Sequence, residues 1–97
     1  MSSSLRVGIL GAGGIANVHA RGWSAFPKKA TIAAFSDVAT DRAQAMSDLY
    51  TDGSATVYDS IDAVVADPEI DVIDICLPHH LHADAVTKAA KAGKAIL

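Results

Sequence analysis

The sequence predicts an α/β fold, a doubly wound parallel sheet of about five strands with helices on both faces. Three observations carry this. Short, continuously apolar runs alternate with helix-period segments along the whole chain. A glycine-rich turn, Gly11-Ala12-Gly13-Gly14, follows the first apolar run and opens the first helical segment. The connecting segments are long enough to hold a helix each, which implies parallel strands joined by right-handed crossovers.

Leu5 to Leu10 reads as a strand buried on both faces, because it is apolar without alternation. From Gly13 the period changes. Ile15, Val18, Gly22 and Phe26 share one helical face, and Pro27 stops the helix. Thr31 to Phe35 is the second strand, ending at Ser36-Asp37. Thr40 can cap the second helix through its hydroxyl. Ala43, Met46 and Tyr50 form the inner face of that helix, and Asp52-Gly53 ends it. Ala55 to Tyr58 is a third strand, followed by a brief helix capped by Ser60, with Ile61, Val64 and Val65 inward. Asp67-Pro68 is a turn. Val72 to Leu77 is the fourth strand, closed by Pro78. His80 to Ala92 is the last helix, with Leu81, Ala85 and Ala89 on one line, Asp84 four residues before Lys88, and Gly93 as its stop. Lys94 to Leu97 begins a fifth strand, and Met1 to Ser4 is a loose end. A finished domain rarely ends in the first residues of a buried strand. The expectation is therefore one domain over 1–97, incomplete at its C-terminus and part of something longer.

Composition narrows the function. The 97 residues are 51% hydrophobic, which excludes a disordered tail. Nineteen are alanine, so elements can pack closely but each alanine contributes little apolar area. Eight basic residues are spread against eleven acidic ones, for a net charge of -3, so no nucleic-acid partner is expected. Lys88, Lys91 and Lys94 read as a solvated helix face and the turn after it. The longest uncharged run, Val7 to Ala20, has 14 residues and four glycines, whereas a membrane helix needs about 20 apolar ones. The same glycines spoil it as a signal peptide. The single cysteine, Cys76, allows no internal disulfide and fits a reducing compartment, so a cytoplasmic location is expected.

The motif Gly11-Ala12-Gly13-Gly14-Ile15-Ala16 is a G-x-G-x-x-A between a strand and a helix. Gly11 permits the tight turn, Gly13 lets the backbone approach a pyrophosphate, and Ala16 lets the helix pack on the strand. The helix N-terminus then offers free N–H groups to phosphates. Asp37 closes the second strand 21 residues after Ala16, where a carboxylate can accept hydrogen bonds from ribose hydroxyls and repel a 2′-phosphate. These features call for a dinucleotide, NAD, with NADP as the alternative if Arg42 swings back to offset Asp37. FAD and S-adenosylmethionine also carry a ribose and stay open. Cys76-Leu77-Pro78-His79-His80-Leu81-His82 invites a metal reading, but no second set of paired ligands exists, and no metal is expected. The segment leads from the fourth strand into a helix, at the edge of the ligand crevice. His19 reads as a satisfied core histidine, and Trp23 and Phe26 as packing residues. Asp74, between Ile73 and Ile75, is a buried carboxylate that needs a partner. No G-x-S-x-G, Walker lysine or H-E-x-x-H motif is present.

The chain resembles the N-terminal NAD(P)-binding Rossmann domain of the Gfo/Idh/MocA oxidoreductases. The likeness rests on Arg6 to Ala16 with His19 downstream, on Asp37, on Asp71 to Pro78, on Leu81-His82 and on Ala92-Gly93-Lys94. It implies the cofactor half of a dehydrogenase acting on sugars, inositols or related polyols. By the same resemblance, Gly11, Gly13, Gly14 and Ile15 would hold the pyrophosphate and Asp37 the adenosine ribose. Cys76, Leu77, Pro78, His79 and His82 would lie along the nicotinamide half. His79 stands where the family often has Asn. In the family the fifth strand runs into a Glu-Lys-Pro motif with the working lysine, and a substrate domain follows. This sequence stops at Leu97, so no catalytic residue is assigned. A homo-oligomer or a further domain would cover the open edge at Ala95 to Leu97. The alternative reading is a non-catalytic nucleotide-binding or interaction module, a relic of that family.

Overall fold

The computed structural model describes residues 4–97, and Met1 to Ser3 of the expected loose end lie outside the described residues. The elements alternate as predicted: β1 (Leu5–Leu10), α1 (Gly14–Ser24), β2 (Ala30–Ser36), α2 (Thr40–Thr51), β3 (Thr56–Tyr58), α3 (Ile61–Ala66), β4 (Val72–Ile75), a 3₁₀ turn (His79–Leu81), α4 (His82–Lys91) and β5 (Ala95–Ile96). All strand pairs are parallel, in the order β3-β2-β1-β4-β5. The chain steps outward from β1 to β2 and β3, then crosses to the other side for β4 and β5. The reversal lies between β1 and β4, and there the loops at the strand ends part to leave a crevice.

Side-chain alternation divides the core into two layers. Val7 and Ile9 of β1 join Ala16, Ala20, Phe35, Ala43 and Met46, under α1 and α2. Leu10 joins Ala34, Val64, Ile73, Ile75, Ala85 and Ala89, under α3 and α4. Gly8 lies on the second face. A Cβ there would stand 2.7 Å from Val64 Cγ1, so α3 sits this close to β1 only over a glycine.

Five local expectations need correction. The buried face of α1 is Ala16 and Ala20, with Trp23 half-buried, whereas Ile15, Val18 and Phe26 are 54%, 59% and 59% exposed. The large residues lie off the contact because close approach to the sheet selects the small ones. Thr40 does not cap α2. The N-cap position is Ala39, and Asp37 Oδ1 accepts the Ala39 N–H at 2.8 Å. β4 ends at Ile75 rather than Leu77, although the Cys76 N–H still donates to the Leu10 carbonyl at 2.9 Å. The last helix opens with the 3₁₀ turn, so its α-helical part begins at His82 rather than His80 and ends at Lys91. Ser60 caps α3 as expected, its Oγ accepting the Ala63 N–H. Lys88 bonds Asp84 at 3.1 Å and also Asp62 at 2.8 Å, tying α4 to α3. Lys94 is not solvated: its Nζ donates to the carbonyls of Asp67 (2.8 Å) and Ile70 (2.7 Å), closing the loop before β4.

Candidate functional site: a groove at the strand reversal

The crevice is a groove of about 510 Å³ at the carboxyl ends of β1, β2 and β4. Its floor is the glycine turn, with Gly11, Ala12, Gly13 and Ile15. One wall is the end of β2, Ser36 to Val38, with Arg42 from α2. The opposite wall is Cys76, Leu77 and Pro78 after β4, with Leu81. Asp59, Ser60 and Ile61 close the end nearest β3.

The glycines of the turn differ in what holds them. Gly11 has φ +95°, and a Cβ there would lie 2.6 Å from the Cys76 carbonyl oxygen. The left-handed backbone and the close approach of the β4 segment both require glycine. Gly13 and Gly14 have open space around a built Cβ. The shape of the protein does not demand glycine there.

Helix α1 begins at this turn without a side-chain cap and with no acidic residue in its first turn. Its first backbone bond runs from the Asn17 N–H to the Gly13 carbonyl. The amides of Gly14, Ile15 and Ala16 precede that bond and have no partner within the helix. A helix end left open in this way favours an anion. Asn17 Nδ2 also donates to the Gly13 carbonyl, and the Tyr50 hydroxyl donates to Asn17 Oδ1 at 2.8 Å, so α2 steadies the turn.

Asp37 sits where the sequence places it, at the end of β2. Its Oδ2 accepts the Ala12 N–H at 2.9 Å and its Oδ1 accepts the Ala39 N–H at 2.8 Å. A carboxylate has about four acceptor positions, so two remain for a ligand. The backbone bonds fix its orientation beside the glycine turn. Val38 next to it is 92% exposed, an apolar surface at the groove mouth.

Seven of the ten residues singled out from sequence line the groove: Gly11, Gly13, Ile15, Asp37, Cys76, Leu77 and Pro78. Gly14 lies one residue beyond the lining, at the first position of α1. His79 and His82 stack on each other with ring centroids 6.2 Å apart, at the start of α4 and outside the lining. The Cys76 thiol is pushed up to about 12 by burial, with the Asp74 charge and a hydrogen bond to it adding to the effect. It is therefore a neutral thiol at physiological pH. Val38, Asp59 and Ile61 were not anticipated. Their signal was topological: β3 lies beside β2, so the loop leaving β3 must land at the Asp37 end.

Beneath the groove, Asp74 finds the partners that its sequence position demanded. It is fully buried on β4 and accepts bonds from His19 Nδ1 and Trp23 Nε1, each at 2.8 Å, and from the Cys76 thiol at 3.6 Å. Single ligand-type atoms of His19, Asp74 and Cys76 lie within 4.8 Å of one another. All three are already joined by these hydrogen bonds, so the cluster is complete as a polar network.

A reversal-point groove with an open helix end on one side and an anchored carboxylate on the other defines a dinucleotide-binding domain. Comparison with known proteins agrees: the family profile described as an oxidoreductase family with an NAD-binding Rossmann fold, Gfo/Idh/MocA, matches residues 5–97. The chain belongs to that family. Inositol 2-dehydrogenase of Rhizobium meliloti is 39% identical over 93 residues, covering 96% of this chain and 27% of the relative. Levoglucosan dehydrogenase of Pseudarthrobacter phenanthrenivorans is 31% identical over 105 residues, covering 97% of this chain and 25% of the relative. A solved levoglucosan dehydrogenase in complex with NADH superposes with a TM-score of 0.88 at 27% identity, over 97% of this chain and 27% of that one. KijD10, a 3-ketoreductase from Actinomadura kijaniata solved with NADP and TDP-benzene, gives 0.88 at 25% identity, over 98% and 28%. The chain thus spans about a quarter of the length of these relatives. Among the described residues, no helix is long and apolar enough to cross a membrane.

Proposed function

We propose that this chain is the NAD-holding part of a dehydrogenase that oxidises a ring secondary alcohol of an inositol, a sugar or a related polyol. The observation that carries the reading is the pairing of an uncapped α1 N-terminus with Asp37 across one groove. The amides of Gly14, Ile15 and Ala16 receive the pyrophosphate, and the open space at Gly13 and Gly14 admits it against the backbone. Asp37, held by Ala12 and Ala39, accepts bonds from the adenosine ribose. Leu77 and Pro78 form an apolar wall for the nicotinamide half, and the neutral Cys76 thiol adds no competing charge there. His79 and His82 stand just beyond that wall. The bound cofactor supplies the hydride acceptor; these residues orient it and exclude water from one of its faces.

Asp37 favours NAD over NADP, because a 2′-phosphate would meet a fixed carboxylate. Arg42 shares the groove but sits on exposed α2, where solvent screens it. The substrate class follows from the relatives, which are named for the oxidation of inositols and sugars. The single buried cysteine fits a reducing, cytoplasmic setting.

Thermal shift with NAD and with NADP tests the cofactor reading. NAD is expected to raise the melting temperature at concentrations where NADP does not. The substitution Asp37→Ser is expected to narrow that difference. Equal stabilisation of the unaltered chain by both cofactors would refute the assigned role of Asp37. NADH formation with a panel of inositols and sugars, measured on a protein carrying this chain, tests the substrate class.

A further inference from the structure

Helix α1 presents a mechanical problem. Its open end must be held within a fraction of an ångström of the β4 side of the groove if one ligand is to touch both. Yet the residues it buries are Ala16 and Ala20, which offer little apolar area to fix it. Its backbone packs over β1 and β2. The tie to β4 is made by side chains, and Asp74 makes it.

His19 and Trp23 are four residues apart, on one side of α1. Both reach Asp74, more than fifty residues away in sequence. His19 Nδ1 is 2.8 Å from each carboxylate oxygen, so that nitrogen carries the proton and donates. Trp23 Nε1 donates to Oδ2. On the same strand, two residues on, Cys76 donates its thiol to Oδ1, and its carbonyl oxygen is the atom that faces Gly11. One buried carboxylate therefore joins the helix that opens at the glycine turn to the segment that forms the opposite wall.

We propose that Asp74, acting through His19 and Trp23, is a positioning residue for the dinucleotide. It sets the α1 amides against the Cys76–Pro78 wall, so that the pyrophosphate and nicotinamide half can be held together. The inference rests on the reading of the groove as a cofactor site. It separates two parts of the ligand. The clamp lies between α1 and β4, whereas the adenosine half meets Asp37, which is held independently by Ala12 and Ala39. Loss of the clamp weakens NAD and spares adenosine.

The test compares NAD and adenosine binding to the chain by ligand-observed NMR, in four variants. Asp74→Asn removes the charge and replaces one of the two acceptor oxygens with an NH2 donor, but it risks the fold, so Trp23→Phe and His19→Ala are measured beside it. Trp23→Phe keeps the ring and loses one donor. His19→Asn keeps a donor near the Nδ1 position. The expected result is NAD affinity lowered by about tenfold in His19→Ala and Trp23→Phe, with adenosine affinity unchanged. His19→Asn is expected to recover most of the loss. Parallel loss of both ligands would show a structural role only and overturn the proposal, as would unchanged NAD affinity in both donor variants. An unaltered chain that binds neither ligand would overturn the cofactor reading itself, and the clamp with it.

Discussion

Two glycines of the same turn are expected to respond in opposite ways to alanine. Gly11→Ala acts on the fold. At φ +95° an alanine costs about 1–2 kcal/mol relative to glycine. Its Cβ would also stand 2.6 Å from the Cys76 carbonyl oxygen and 3.1 Å from the carbonyl carbon, both backbone atoms that cannot rotate away. Relieving such an overlap costs about 1–3 kcal/mol more. For a domain this size each kcal/mol is worth about 4–8 °C in melting temperature, so a loss of at least about 10 °C is expected. Gly13→Ala acts on the ligand. Gly13 has φ -89° and ψ -164°, open to any residue, and nothing lies within 4 Å of the added carbon. Alanine is a poorer N-cap than glycine but leaves a less mobile unfolded chain, so stability should change by less than about 1 kcal/mol. The methyl group then occupies the floor on which a pyrophosphate would rest. Thermal melts with and without NAD read both effects. A Gly11→Ala protein that melts within a few degrees of the parent, or a Gly13→Ala protein stabilised by NAD as much as the parent, would refute the reasoning.

Three further outcomes are expected. The Tyr58 hydroxyl donates to Asp67 Oδ2 at 2.7 Å, and this bond, aided by the Glu69 N–H, holds the Asp67 carboxyl below the ordinary value of 3.8. A lowered folded-state pKa contributes stability that is present above the unfolded value and lost as pH falls through the folded one. Urea titrations should therefore show Tyr58→Phe weakened at neutral pH, with a smaller further loss than the parent on acidification below 3.8; parallel pH curves would contradict this. The same bond raises Tyr58 above 10.0, so its contribution is lost as pH rises through the raised value. Cys76, pushed up to about 12 by burial, should be alkylated by iodoacetamide far more slowly at pH 8 than in urea-unfolded chain, since the thiolate is the reactive form and burial keeps the thiol protonated. Lys94→Met strands the Ile70 carbonyl and leaves the Asp67 carbonyl only the Ile70 N–H at 3.2 Å; it should cost about 1–3 kcal/mol in urea unfolding, against near zero for Lys91→Met on the exposed face of α4.

The strand and helix order was legible because apolar runs and helical periods alternate cleanly, and the glycine turn was legible because its context is local. What sequence did not reveal depends on contacts between distant segments. Periodicity alone placed Ile15, Val18 and Phe26 inward, but a helix lying close on a sheet buries its alanines instead. Helix α2 has no side-chain cap; Asp37, which the sequence offers both as a ribose ligand and as a helix-capping residue, bonds the N–H of the N-cap residue Ala39 while it lines the groove. Lys94 read as solvated because its partners lie 24 and 27 residues back. Asp74 was legible as a problem, a carboxylate inside an apolar strand, but not as an answer. Its donors sit on a helix more than fifty residues earlier, and only the parallel pairing of β1 with β4 brings them together.

The measurement that tests the account most directly is a titration of the isotope-labelled chain with NAD, following backbone amide NMR signals. The account predicts saturable shifts concentrated at Ala12 to Ala16, at Asp37 and Val38, and at Cys76 and Leu77, the three segments that meet in the groove. Shifts that do not saturate, or that gather away from the carboxyl ends of β1, β2 and β4, would contradict it.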